Sequence, residues 1–230
     1  MKMKLSIIIP VFNEEKNIKT VISQVKNVPV EMEKEIIIVD DGSKDKTRII
    51  LQSYNKDLSI KIILQPKNLG KGSAIRRGLE EATGDFVLIQ DADREYLVSD
   101  YSKILKPFLA QKAQVVYGSR FLGNISGMRW QNRLANKILT ATANLLYGIK
   151  ITDEATAYKA FRRDFIQKIP LKCQRFEFCP EVTAKIAKKG FKIYEVPITY
   201  HGRSSKDGKK IKLKDAFEAF WTLVKYRFKD

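Results

Sequence analysis

The feature that most restricts this chain is a repeated change of hydrophobic period through its first 120 residues. Short β-branched runs at Leu5–Val11, Glu35–Val39, Ile60–Leu64, Phe86–Ile89 and Gln114–Tyr117 predict strands; the stretches between them, Glu14–Lys26, Lys44–Tyr54, Lys71–Thr83 and Ser99–Gln111, have helical spacing. Alternation of this kind predicts an α/β fold, a mostly parallel sheet with helices on both faces. The near-continuous Ile and Val of the first two runs suit strands buried on both sides.

The second half is less regular. It predicts helices over Gln131–Tyr147 and near Pro180–Lys189, an aromatic-rich segment at Arg175–Cys179 and a strand at Lys192–Ile198. A basic stretch, His201–Lys212, precedes a last helical pattern. There is no internal repeat, and no linker long enough to divide the chain into separate domains.

Composition narrows the function classes. Forty-three Lys and Arg against 26 Asp and Glu leave a formal charge of +17, which points to a polyanionic partner: nucleic acid, an anionic membrane or phosphorylated substrates. Two cysteines cannot staple 230 residues, and one histidine argues against a His-based triad or zinc site. The two cysteines read as ordinary packing residues in a reducing, cytoplasmic setting. No apolar run reaches the roughly 18 residues of a spanning helix.

In an open parallel sheet, ligands bind beyond the carboxyl ends of the strands. Four successive predicted strands here are followed by Pro10–Glu15, Asp40–Ser43, Pro66–Gly72 and Asp91–Glu95, all rich in acids, amides or glycine. One such loop is readily a turn or helix cap; four at one edge indicate a site. Asp91 and Asp93 can turn both carboxylates toward one hard cation, Mg2+ or Mn2+, bridging a diphosphate, with Glu95 as a third ligand. No Walker A sequence and no G-x-G-x-x-G after the first strand support an ATPase or a dehydrogenase.

The segments SIIIPVFNEEKNI, IIIVDDGSKDKT, KNLGKGSAIRRGLEEATGDFVLIQDAD and VVYGSRF, in that order, resemble family-2 glycosyltransferases of GT-A fold, in particular the dolichyl-phosphate mannose synthase and polyprenyl-phosphate branch. The resemblance runs from Leu5 to about Phe228 and implies one GT-A domain, residues 1–120 forming the nucleotide-sugar half and 121–230 the acceptor half. It implies that Pro10, Phe12, Glu14, Asp40, Asp41, Lys71 and Asp91 bind the nucleotide sugar and that Asp91, Asp93 and Glu95 hold the metal. Asp93, Arg120 and Asp153 take catalytic roles, and Arg120, Arg133, Arg203 and Lys209 bind donor or acceptor phosphate. The resemblance would usually place a Glu where this chain has Ala155, with Glu154 shifted one position; either Glu154 compensates or that contact is absent.

The implied reaction is an inverting transfer of a hexose from GDP-mannose or a UDP-glucose-like donor to polyprenyl or dolichyl phosphate. Such an anionic acceptor needs positioning by cations more than deprotonation. The amphipathic pattern from Lys212 to Phe228 then reads as a peripheral anchor on an anionic membrane surface, at its cytoplasmic face. A polysaccharide or other non-lipid acceptor is the rival reading. Nucleic-acid binding rests on charge alone, without a recognition signature, and is set aside.

Overall fold

The computed structural model describes residues 2–203 and 213–229. Its strands are β1 (Lys4–Val11), β2 (Glu33–Asp40), β3 (Ile60–Leu64), β4 (Phe86–Ile89), β5 (Val115–Ser126), β6 (Lys159–Arg162) and β7 (Ile193–His201), in one sheet of order β3-β2-β1-β4-β6-β5-β7. Pairings β1–β2, β2–β3, β1–β4 and β5–β7 are parallel, whereas β6 runs antiparallel to β4 and β5.

Side chains of the central strands alternate between two cores. Leu5, Ile7 and Ile9 of β1 and Ile36 and Ile38 of β2 face one side, while Ile8, Ile37 and Val39 face the other. Helices α1 (Ile18–Asn27), α2 (Thr47–Gln52) and α4 (Tyr101–Leu109) cover the first side; α3 (Lys71–Glu81) and α7 (Phe178–Lys188) cover the second. In α1 the buried residues are Ile18, Val21, Ile22 and Val25, the i, i+3, i+4, i+7 stripe that seats a helix on a sheet.

Two predicted boundaries changed for tertiary reasons. The fifth strand continues well past Tyr117 to Ser126, because β7 pairs alongside it with a register shift between Ser119 and Asn124. Helix α7 starts at Phe178, before Pro180, because the first helical turn needs no N–H from a proline. Strand β6 and the short α6 (Arg163–Ile166) are additions, formed where a four-residue segment is held between β4 and β5.

Helix α5 (Trp130–Tyr147) and α8 (Leu213–Phe228) lie outside this layered core, packing with α7 around Ala143, Ala184, Leu223 and Tyr226. The order β3-β2-β1 runs one way from β1 and β4 continues the other way. The loops after β1 and β4 therefore diverge at a switch point, which opens a crevice at their carboxyl ends.

Candidate active site

Four loops meet at that crevice, cross-linked by their own side chains. After β1, Asn13 adopts a left-handed backbone (φ 49°); its N–H donates to Ser43 Oγ at 2.9 Å and its Oδ1 accepts the Lys44 N–H at 2.8 Å. The Glu14 N–H donates to Thr47 Oγ1 at 2.9 Å. These bonds lock the β1 loop to the β2 loop.

Adjacent carboxylates at the end of β2 then take opposite duties. Asp41 accepts the backbone N–H of Leu69 (2.7 Å), the N–H of Gly70 (2.9 Å) and the Asn68 amide (2.9 Å), so it fixes the loop after β3. Burial raises its pKa, with the two backbone donors working against that rise. Asp40 turns inward, accepting the Ser43 N–H at 3.1 Å and Arg48 Nε at 2.6 Å. Asp40, expected beside the nucleotide, is 0 % exposed here and anchors the loop that presents Asp41.

A cavity of about 410 Å³ occupies the crevice, its wall including Pro10, Phe12, Glu14, Asp41, Lys71, Asp91, Asp93 and Arg203. Lys71, the first residue of α3, reaches Asp91 Oδ1 at 2.5 Å. Burial, the largest single influence, would lower the Lys71 pKa, but Asp91 together with the neighbouring Cys179 and Asp93 raises it. Asp93 is pushed up to about 7, first by burial and then by the charges of Asp91 and Glu95, with Arg203 opposing. Crowded oxygen donors with incomplete compensation fit a hard divalent cation.

Glu95, expected as a third ligand, is engaged with other partners here. Its Oε2 accepts the Tyr200 hydroxyl at 2.7 Å and its Oε1 the Arg203 backbone N–H at 2.7 Å, so it ties down the end of β7. Among the described residues no group of three or more His, Cys, Asp or Glu is gathered for a metal. A cation here would be held by Asp91 and Asp93, with substrate oxygens and water completing its shell.

The expected catalytic pair Arg120 and Asp153 is a buried clamp. Asp153 receives Arg120 Nε and Nη2, each at 2.7 Å, and is 0 % exposed. The Arg120 guanidinium also lies 5.2 Å from the centroid of Tyr200. Neither Arg120 nor Arg133 lines the 410 Å³ cavity, and Arg133 is exposed on α5. Both were expected at donor or acceptor phosphate; here the Arg120 fork is engaged by Asp153. Lys209 lies outside the described residues.

Glu154 is also 0 % exposed and is not among the residues lining this cavity; burial raises its pKa to about 6, opposed by neighbouring Lys159. Arg175 and Phe176, which line the cavity, carried no assigned role in the sequence. Their signal was the aromatic-rich stretch before α7, which the Gly72 and Ser73 N–H groups pin in place by donating to Arg175 and Gln174 carbonyls.

The family model for glycosyl transferase family 2 matches residues 6–170, the span carrying all four loops. The chain belongs to glycosyl transferase family 2. Family relatives include the dolichol-phosphate mannosyltransferase of Pyrococcus furiosus, 29% identical over 94% of this chain, of whose length the chain spans 61%. The dolichyl-phosphate beta-glucosyltransferase ALG5A of Trichomonas vaginalis is 31% identical over 96% of this chain and 72% of its own length. The fold matches glucosyl-3-phosphoglycerate synthase of Mycobacterium tuberculosis, solved with Mn2+, UDP and glucosyl-3-phosphoglycerate, at a TM-score of 0.76 and 18% identity, covering 99% of this chain and 81% of that one. This is the GT-A architecture expected of the family-2 fold. Among the described residues, no helix is long and apolar enough to cross a membrane.

Proposed function

We propose that this family-2 chain is an inverting, divalent-cation-dependent hexosyltransferase. It moves sugar from a nucleoside-diphosphate donor, of the GDP-mannose or UDP-glucose kind, to a polyprenyl phosphate at the cytoplasmic face of a membrane. The observation that carries the reading is the cavity of about 410 Å³ at the switch point, where an apolar wall of Pro10 and Phe12 meets Asp41, Lys71, Asp91 and Asp93. An apolar wall suits a nucleobase, and a cation-bearing floor suits the diphosphate.

In the reaction, an oxygen of the acceptor phosphate bonds to the anomeric carbon while the bond from that carbon to the donor diphosphate breaks, in line and with inversion. The departing nucleoside diphosphate gains negative charge, which Lys71 is placed to stabilise. A cation on Asp91 and Asp93 would supply Lewis-acid stabilisation of the same charge. The acceptor phosphate is already anionic, so no general base is required; Asp153, spent on Arg120, is a positioning residue in this scheme.

The acceptor reading is supported by the names of the Pyrococcus and Trichomonas relatives, a dolichol-phosphate mannosyltransferase and a dolichyl-phosphate glucosyltransferase. It is supported too by the apolar surface of α5 and α8, where Trp130 (70 %), Phe217 (72 %) and Trp221 (57 %) are exposed. The test is transfer assayed with Mn2+, UDP-glucose or GDP-mannose, and a short polyprenyl phosphate beside soluble glycan acceptors. Labelled polyprenyl-phosphate sugar is the expected product; transfer to soluble glycans alone would overturn the acceptor assignment.

A further inference from the structure

Arg203 closes the crevice from the far end of the chain. Its Nη2 lies 3.1 Å from Asp93 Oδ2, its Nη1 3.3 Å from Glu14 Oε2 and its Nε 4.0 Å from Glu95 Oε1. These acids come from the loops after β1 and β4, so one guanidinium bridges both lips of the switch point. Its backbone is held as well: the Arg203 N–H donates to Glu95 Oε1 (2.7 Å), His201 N–H to the Glu95 carbonyl (2.9 Å) and Gly202 N–H to the Ser126 carbonyl (2.8 Å). Gly202 packs so closely on Gly127 that an added Cβ would stand 2.8 Å from the Gly127 carbonyl oxygen. The strap is therefore held through its main chain as well as through the guanidinium.

A second cavity, about 640 Å³, lies on the other side of this bridge, and Glu14, Asp93 and Arg203 line both cavities. The two acids read as cation ligands thus each carry an organic cation, Lys71 on Asp91 and Arg203 on Asp93. A divalent ion brought to this pair meets both positive groups within a few ångströms, where like charges repel strongly.

We infer that Arg203 is a resident counter-cation of the carboxylate pair, which a divalent ion displaces from Asp93, opening the wall between the two cavities. The inference rests on the reading of Asp91 and Asp93 as the cation-holding pair. The donor diphosphate gives the displaced guanidinium a new anionic partner, with the forked geometry that Arg matches. Cation and nucleotide binding are then synergistic, because each relieves the charge imbalance that the other creates.

Two measurements on the full chain test this. Mn2+ binding, followed by the electron paramagnetic resonance signal of free Mn2+ without nucleotide, is expected to tighten about tenfold in Arg203→Gln and to stay at the wild-type level in Arg203→Lys. In the wild type, phenylglyoxal labelling of Arg203, read by mass spectrometry, is expected to accelerate several-fold on adding Mn2+ and not on adding KCl of equal ionic strength. This second readout needs no variant to fold. Equal Mn2+ affinity in wild type and Arg203→Gln, or labelling indifferent to Mn2+, would overturn the displacement while leaving the cation site intact. Mn2+ bound by neither protein would overturn both readings together.

Discussion

Asp153 grips Arg120 at three points: its Oδ2 accepts the Arg120 backbone N–H at 2.9 Å and Nε at 2.7 Å, and its Oδ1 accepts Nη2 at 2.7 Å. Two parallel bonds to one guanidinium edge fix its plane, and the Tyr200 ring beneath fixes its tilt. Tyr200 in turn donates to Glu95, which anchors the Arg203 strap. The clamp thus sets the floor on which the far wall of the crevice rests.

Asp153→Asn removes the charge and leaves a buried guanidinium uncompensated. Breaking a buried pair from one side costs about 3–5 kcal/mol. Thermal denaturation is expected to show Tm lower by about 6 °C or more for a chain of this size. A Tm within about 1 °C of wild type would show that the clamp contributes nothing.

Asp41→Asn should act on the nucleotide cavity more than on the core. The carboxylate accepts N–H groups from Leu69 and Gly70, and an amide in its place directs an NH2 at one of them. Hydrogen bonds to a charged acceptor contribute about 1.5–3 kcal/mol each. Loss of one is expected to weaken nucleoside diphosphate binding, measured calorimetrically, by about tenfold or more.

Gly70 joins that loop to α3 with φ 102°, and a Cβ there would run into the Gln174 carbonyl. Gly70→Ala therefore carries both backbone strain and a clash that only a shift of the 173–176 segment relieves. A destabilisation of about 2 kcal/mol or more is expected in urea titration, with Lys71 drawn off Asp91.

Glu35 gives the fold an acid-sensitive joint at the amino end of the sheet. Burial pushes its carboxyl up, but Lys4, Ser6 and Thr83 more than offset this and hold it at about 2. A folded pKa below the unfolded value means that its stabilisation is complete above about pH 4.5 and is lost as pH falls toward about 2. Glu35→Gln is expected to lower stability at neutral pH by about 1–2 kcal/mol, allowing for solvent screening at this half-buried site, and to flatten the acid limb of the stability curve.

How far the chain was legible follows from where each signal resides. The parallel half of the sheet was visible because Ile7 to Ile9 and Ile36 to Ile38 carry their burial in their own side chains. Strand β6 was not, since four residues of mixed character become a strand only through their partners on either side. The acids at the strand ends could be read as a group, but not the division of labour between Asp40 and Asp41. Two identical side chains are distinguished only by the direction the backbone takes before Gly42, whose φ of 76° turns the loop. The meeting of Arg203 with Glu14, 189 residues apart in sequence, is a property of topology alone.

The proposed membrane surface makes the last prediction. On α8, Phe217 is 72 % and Trp221 57 % exposed, whereas Ala219, Leu223 and Tyr226 on the same helix are buried. The exposed residues sit four apart, on one face, so replacing both does not touch the packing that holds α8 to α5 and α7. A Phe217→Ser, Trp221→Ser double variant is expected to keep its Tm and to bind anionic vesicles in flotation at least tenfold more weakly, since each aromatic contributes on the order of 1–2 kcal/mol when buried in the interface. Raised salt should weaken wild-type binding by screening the basic side chains, and the residual binding at high salt should be what the double variant lacks. Flotation of the variant equal to wild type at both salt concentrations would remove α8 from the membrane contact.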